Sequence, residues 1–490
     1  MRGVIALIGV ASLLRLAFAA ATGLGVDESY MVAAGRVVSG GYFDHPPAAW
    51  WLSWGAAHLF GTEAPVAVRL PFILLFALST WLMARLGTAV ADARAGFWAA
   101  MLLNLSPVFG VTAGTWVLPD GPLLCALTGA ALCLVHAIAP PFLQGNDYGS
   151  TSVTSPIGGG WAWWCGAGVC AGLAMSAKYS AVLTIGGAFL FLLCDRRQRH
   201  WLRRPQPYVA ALAALAVFAP VILWNATHGW ASFAFQGERA VGLRFRPLAP
   251  LTTLAGESLF VLPWIWAPML FLLVRGRNRL LSFLAAPPIV AFALISAWSS
   301  QRILFHWAAP GYLMLFPLLG QAVAARLHLP WVRRTIGGTA VFVVAVMVIV
   351  GAQTSFDIAG DRIAPLLRKD PTIEGIDWTS LREDLNARGL LRPSTVIGVA
   401  NWRDGGKIAY AIGPDVTVLC LNADSRQFGF ANPPADHIGQ DVLLIGLAPV
   451  AGPFERIEPL APSTIRIRGR VLATVSIAIG HNLTAWPPPK

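Results

Sequence analysis

Asp27, Glu28, Asp44 and His45 fall in two short stretches near the start of the chain, Val26-Asp27-Glu28-Ser29-Tyr30 and Gly41-Tyr42-Phe43-Asp44-His45-Pro46-Pro47, followed by Trp50-Trp51. Three carboxylates and an imidazole so close in sequence can move protons or meet phosphate. A carboxylate takes a proton from an attacking hydroxyl as general base. A protonated imidazole contacts phosphate oxygens. The same oxygen and nitrogen atoms could ligate a metal, but their order is also what general-base chemistry needs, and no metal is assigned. Each residue has a competing structural role. Asp27 could cap a helix or sit as an interface charge. Glu28, its neighbour, points elsewhere if the segment is helical. Asp44 could cap the helix that Pro46 and Pro47 begin. His45 could hydrogen-bond a neighbour.

Cations further along could hold a phosphate. Lys178 ends an apolar run, where snorkelling is the default role, yet it is placed to pair with a phosphate. Arg239, Arg244 and Arg246 share one long loop, and Arg302 stands at another; planar guanidinium groups bind phosphate by two parallel hydrogen bonds. Asp120 precedes an apolar run and reads as well as a cap as a functional acid. His306 reads as a packing or belt residue.

These residues must be positioned by membrane helices. The 490 residues are 56% hydrophobic and only 12% charged, against roughly 25% charged in soluble domains. Runs long enough to span a bilayer lie near 4–24, 66–86, 95–113, 119–139, 161–177, 180–194, 208–224, 257–274, 281–298, 304–323 and 336–352, about eleven spans at roughly 20 residues each. The first continues past Arg15 and reads as a retained helix rather than a signal peptide. With the N-terminus inside, every dense arginine cluster (196–204, 275–279, 326–334) falls on the inner face, as the positive-inside rule requires. The loops at 25–65, 114–118, 225–256 and 299–303, and everything after about 353, then lie outside. The net charge of +12 follows from these clusters; no aromatic-interleaved basic groove suggests nucleic acid. Loop 142–160, rich in Gly, Ser and Thr, reads as a flexible inner connection. The cysteines Cys125, Cys133, Cys165, Cys170, Cys194 and Cys420 lack zinc spacing and read as packing residues.

The first outer loop reads as a structured platform: a short amphipathic helix over Ser29–Val38 and a second, Trp-rich helix over Ala48–Phe60, too short to span and suited to the interface. Acids at that depth are costly and usually functional. After residue 353 the pattern changes to a helix over Ser380–Arg388, with a Ser380/Glu383 capping box, and strand-like runs at Thr395–Ala400, Val416–Leu421, Asp441–Leu447 and Ile465–Ile479. The expected architecture is mainly α, a polytopic bundle over 1–353 whose loop 25–65 carries the acidic site, with a small α/β domain over 354–490.

The Asp-Glu pair followed by Gly-Tyr-Phe-Asp-His-Pro-Pro resembles the GT-C membrane glycosyltransferases, and within them the bacterial relatives of dolichyl-phosphate-mannose protein mannosyltransferases, including transferases that add aminoarabinose to lipid A or galacturonic acid to lipopolysaccharide. Leu118-Pro119-Asp120-Gly121-Pro122, Ala177-Lys178-Tyr179, His306-Trp307-Ala308-Ala309-Pro310 and the Arg-x-Phe element in Asn422–Phe430 agree with that resemblance. It implies a polyprenyl-phosphate sugar donor, a lipid or protein acceptor, Asp27 as catalytic base, Asp44 as a second catalytic acid, and inversion at the sugar carbon. It implies phosphate or substrate binding at Glu28, His45, Lys178 and the outer arginines. It further implies that no divalent metal is needed, so no cofactor is expected; a monomer is expected, and the arginine distribution reads as an inner membrane protein with a cytoplasmic N-terminus and a periplasmic C-terminal domain. His45 departs from the Lys of the aminoarabinose transferases, and the terminal domain is short. The rival reading is a flippase for a lipid-linked sugar, but no inverted repeat or paired broken helices support it. Neither the sugar nor the acceptor is legible.

Overall fold

Apolar runs in a bilayer fold as helices because every backbone polar group must be paired internally. The computed structural model describes residues 1–138, 160–240, 245–276, 278–299, 303–360, 372–392, 394–467 and 469–486. The chain begins α1 (Arg2–Ala21), α2 (Val26–Ala34), α3 (Ala48–Phe60), α4 (Pro65–Val90) and α5 (Ala93–Leu105), then a π-helix over Val108–Ala113. It continues α6 (Asp120–Ile138), α7 (Trp161–Ala177), α8 (Ala181–Cys194), α9 (Gln206–Thr227), α10 (Ala231–Ala240), α11 (Ala249–Val261), α12 (Pro263–Arg275), α13 (Arg279–Ile295), α14 (Ala309–Leu313), α15 (Phe316–Ala324) and α16 (Pro330–Phe356). The connection read at 142–160 lies outside the described residues apart from Gly160.

Among the described residues, α1, α4, α6, α9 and α16 are the 5 helices long and apolar enough to cross a membrane, and α11 with α12 makes a sixth if the 117° bend between them is one broken span. The other expected spans are shorter or interrupted helices. Proline is the recurrent cause. The residue before a proline is pushed out of the helical region. Thus Ser106, before Pro107, is extended at φ −89 and ψ 119 and ends α5. Leu262, before Pro263, takes φ 83 and ψ 128 at the α11–α12 bend. A polar brace crosses that bend: the Tyr312 hydroxyl donates to Glu257 Oε2 at 2.6 Å and accepts from Trp266 Nε1 at 2.8 Å.

The chain forms two compact units, one of Met1–Arg15, His45–Ala48 and Phe72–Val344, the other of Leu16–Asp44, Ala49–Pro71 and Ala345–Lys490. A single boundary near 353 does not describe them, because most of the acidic loop groups with the C-terminal segment. In the helical unit, buried Leu, Phe and Ala side chains from α4 through α15 form one core. Arg15 is buried there; its Nε donates to Gly110 O at 2.7 Å and its Nη2 to Asn104 Oδ1 at 2.9 Å, fixing the π-helix.

The second unit contains a five-stranded sheet: β1 (Val396–Val399), β2 (Thr417–Cys420), β3 (Val442–Gly446), β4 (Phe454–Ile467) and β5 (Arg470–Leu483), in the order β2-β1-β3-β5-β4. β1 pairs in parallel with β2 and β3, while β5 runs antiparallel to β3 and β4. The run read as one strand over Ile465–Ile479 turns back on itself, with Gly469 at φ 88, a conformation glycine adopts without strain. Helices α17 (Thr372–Gly375), α18 (Ser380–Ala387), α19 (Trp402–Ile412) and α20 (Gln427–Ala431) complete the unit. At α18, Thr379 takes the cap position and the Ser380/Glu383 box does not form.

α19 packs on α2 without a spacer. A Cβ on Gly406 would lie 2.8 Å from the Tyr30 backbone nitrogen. Arg36 ties the same elements together: its Nε and Nη2 grip both Glu63 oxygens at 2.8 and 2.6 Å, and its Nη1 donates to the Ala409 and Gly413 carbonyls, each at 3.0 Å.

Candidate active site

The acidic group is built on the first turn of α2, where carboxylates suit the positive end of the helix dipole. Glu28 reaches back to cap the helix, accepting from Gly25 N at 2.9 Å. It also receives both forks of Arg69, Nε to Oε1 at 2.8 Å and Nη2 to Oε2 at 2.6 Å. The two side chains are 4% and 1% exposed. Arg69 further donates to the carbonyls of Ala19, Thr22 and Gly23, locking the end of α1 to α2. Glu28, expected to bind phosphate, is occupied by Arg69.

Asp27 is different. It is exposed and makes no hydrogen bond or ion pair with the described residues. Protein crowding around its carboxyl raises its pKa above the usual carboxylate value; Arg403 and Arg426 pull it down, and Asp44 and Glu374 push it up. A carboxylate with unused lone pairs and raised basicity is suited to accept a proton.

Asp44 is 1% exposed. It accepts from the Tyr30 hydroxyl at 3.0 Å and lies 3.4 Å from Arg426 Nη1. Tyr30 in turn accepts from Gln427 N at 3.0 Å and meets Trp50, Trp402 and Phe428 edge-on at 5.2–5.5 Å. Arg426 was not among the sequence candidates. Its guanidinium lies 3.7 Å over the Trp402 ring, and its backbone takes φ 48. Such a conformation costs a non-glycine residue on the order of 1–3 kcal/mol and persists where surrounding contacts hold it. The Arg-x-Phe element was its sequence signal.

The basic group lies in the helical unit. Lys178, capping the end of α7, donates to both oxygens of Asp120, at 3.0 and 3.1 Å. His306 and His45 lie within electrostatic range of Asp120. In the sequence Asp120 reads equally as cap or site and His306 as a packing residue; the pairing across α6, α7 and the turn before α14 is what brings them together. Arg246 is tied down by its backbone, which donates to Ala297 O at 2.7 Å, and by its guanidinium, which donates to Ser299 O. Arg244 and Arg302 lie outside the described residues, as does the side chain of Arg239. Among the described residues no three His, Cys, Asp or Glu side chains cluster closely enough to hold a metal ion.

Residues 44–145 and 152–224 match the family dolichyl-phosphate-mannose-protein mannosyltransferase. A comparison with curated protein sequences found no match. Among solved structures, ArnT from Cupriavidus metallidurans bound to undecaprenyl phosphate superposes with a TM-score of 0.64 at 15% identity, covering 97% of each chain. The apo state of that enzyme gives 0.63 at 15% identity over the same 97% of each. Over the matched segments the chain is similar in sequence to that mannosyltransferase family, and over nearly its whole length it is similar in fold to the ArnT structure.

Proposed function

We propose that this protein transfers a sugar from a polyprenyl-phosphate donor to a hydroxyl of a lipid or protein acceptor. The observation that carries the reading is the contrast between two adjacent acids: Glu28 is consumed by Arg69, while Asp27 is exposed with no hydrogen bond among the described residues. The acceptor oxygen attacks the anomeric carbon as its proton passes to Asp27. The bond from that carbon to the phosphate oxygen breaks, and its electron pair leaves with the lipid phosphate. One displacement inverts the sugar carbon. Negative charge grows on the leaving phosphate, so a cation there lowers the barrier; Lys178, with His45, is the group suited to this. Asp44 serves by holding Arg426 rather than as a second base. The undecaprenyl phosphate of the ArnT structure makes undecaprenyl-phosphate sugars the donors to try first. The arginine clusters support an inner membrane protein with a cytoplasmic N-terminus and the acidic loop facing the periplasm.

The test is sugar transfer by purified protein from radiolabelled undecaprenyl-phosphate sugars to a membrane-lipid extract, with Asp27→Asn alongside. Label entering a new product with wild type alone supports the reading. Equal transfer by the variant removes Asp27 from the mechanism. Movement of the lipid across proteoliposomes with the sugar-phosphate bond intact would replace the transferase with a flippase.

A further inference from the structure

Arg426 pairs with Asp44 and acts electrostatically on Asp27, and its turn is anchored through Tyr30 to α2, the helix that carries Asp27. It precedes α20, in a turn whose place is fixed on three sides. Gln427 N donates to the Tyr30 hydroxyl at 3.0 Å, and Gln427 Oε1 accepts from Phe43 N at 2.9 Å. The Trp402 ring supports the guanidinium from below at 3.7 Å. The side chain is 15% exposed and lies 3.4 Å from Asp44 Oδ2 and 3.6 Å from Asp424 Oδ1. The Arg426 backbone is held at φ 48, a conformation that a non-glycine residue keeps where surrounding contacts hold it. The charged groups facing Asp27 are Arg403 and Arg426, which favour its anion, and Asp44 and Glu374, which oppose it. Arg403 is spent in part on Glu374, at 2.9 Å and half exposed. Arg426 is the cation held in the protein against Asp44.

We propose that Arg426 is a positioning residue that sets Asp27 to work as a base, by neutralising Asp44 and by adding its own positive charge beside Asp27. This rests on the reading of Asp27 as the base. Without Arg426, Asp27 loses an attracting cation, and the Asp44 carboxylate loses the cation that offsets its charge. Both changes favour its protonated form. The base would then be disabled at pH values where the native protein is active. Arginine suits the place because its planar group stacks on Trp402 while Nη1 meets Asp44; lysine keeps the charge but loses the planar stack.

The experiment reads protonation of Asp27 directly, so it needs no sugar donor. Full-length protein in detergent is labelled with a carbodiimide and an amine across pH 4 to 8, and modification of Asp27 is read by fragment mass spectrometry. Protonated carboxyls react, so the midpoint of labelling follows the proton. Arg426→Gln is expected to move the midpoint upward by about one pH unit, the lower end of the effect of a nearby opposite charge. Arg426→Lys should move it upward by less. Coincident midpoints for wild type and Arg426→Gln would overturn the inference. If Arg426→Gln does not fold, Arg426→Lys carries the test alone, and no upward movement overturns it. Where transfer is measured, the acid limb of kcat/KM should follow the same midpoint. Failure of the transferase reading shows separately, as transfer that survives Asp27→Asn.

Discussion

Asp27 and Glu28 are neighbours in the chain and opposites in environment: the Glu28 carboxylate lies 2.6 Å from the Arg69 guanidinium in a pair almost closed to solvent, whereas Asp27 is exposed and hydrogen-bonded to nothing described. In the first turn of a helix, successive side chains diverge by about 100°. One therefore enters the packing between α1, α2 and α4, and the other leaves it. Substitutions at the two positions should fail in different ways.

Asp27→Asn should abolish sugar transfer, with kcat/KM falling by about a hundredfold to ten-thousandfold, the usual worth of a general base. Its thermal unfolding midpoint in detergent should match wild type, since no contact is lost. A large drop in midpoint would reassign Asp27 to the fold.

Glu28→Gln and Arg69→Met should each destabilise the protein by about 3–5 kcal/mol, because each leaves a buried charge without its partner. The double substitution should recover part of the loss. Thermal unfolding of the three variants checks this; strictly additive losses would mean that the pair is not coupled.

Lys407 predicts a pH dependence. Its ammonium is buried and donates to the carbonyls of Leu24 at 2.8 Å, Ile376 at 2.8 Å and Glu374 at 3.3 Å. Burial pushes its pKa down to about 8, while Asp377, Glu28 and Glu374 resist. An unfolded chain keeps that proton to about pH 10.4. Between about 8 and 10 the unfolded state therefore binds more protons, and stability from this group rises with pH; below about 8 its contribution is flat. Lys407→Met should be less stable at all pH values, with a shallower slope above pH 8 than wild type. Unfolding midpoints across pH 7 to 9.5 read that slope, and parallel curves would contradict the assignment.

Gly406→Ala should weaken both fold and transfer. The new methyl would meet the Tyr30 backbone at 2.8 Å, and backbone cannot step aside as a flexible side chain can. α2 and α19 would separate, carrying Asp27 away from Arg426. A lowered unfolding midpoint with a lowered kcat is the expected pair of results; wild-type kcat would show that the α2–α19 contact does not set the acidic group.

Lys178→Met should raise the donor KM by about tenfold or more, the value of one hydrogen bond to a charged group, with a further fall in kcat if the cation also meets the leaving phosphate. Steady-state kinetics over donor concentration separates the two. Asp120→Asn, which leaves Lys178 charged, should change KM less.

The sequence by itself determined the membrane character, most helix positions and the core strands, because these follow from apolar content and local pattern. α3 falls over Ala48–Phe60 as read, and β1, β2 and β3 lie within the predicted runs. The resemblance carried by the first-loop motif was legible for the same reason, being a matter of residue types at fixed spacing. Helix interruptions were less so, since proline marks a boundary but not the 117° through which α11 and α12 bend. Tertiary structure alone decided which acid is buried. It set Arg69 on Glu28, Lys178 on Asp120, and Arg426 with Trp402 beside Asp44, a contact between residues 382 positions apart in the chain. Coulomb energy and desolvation depend on distance and surroundings in space, and neither is a function of position along the chain.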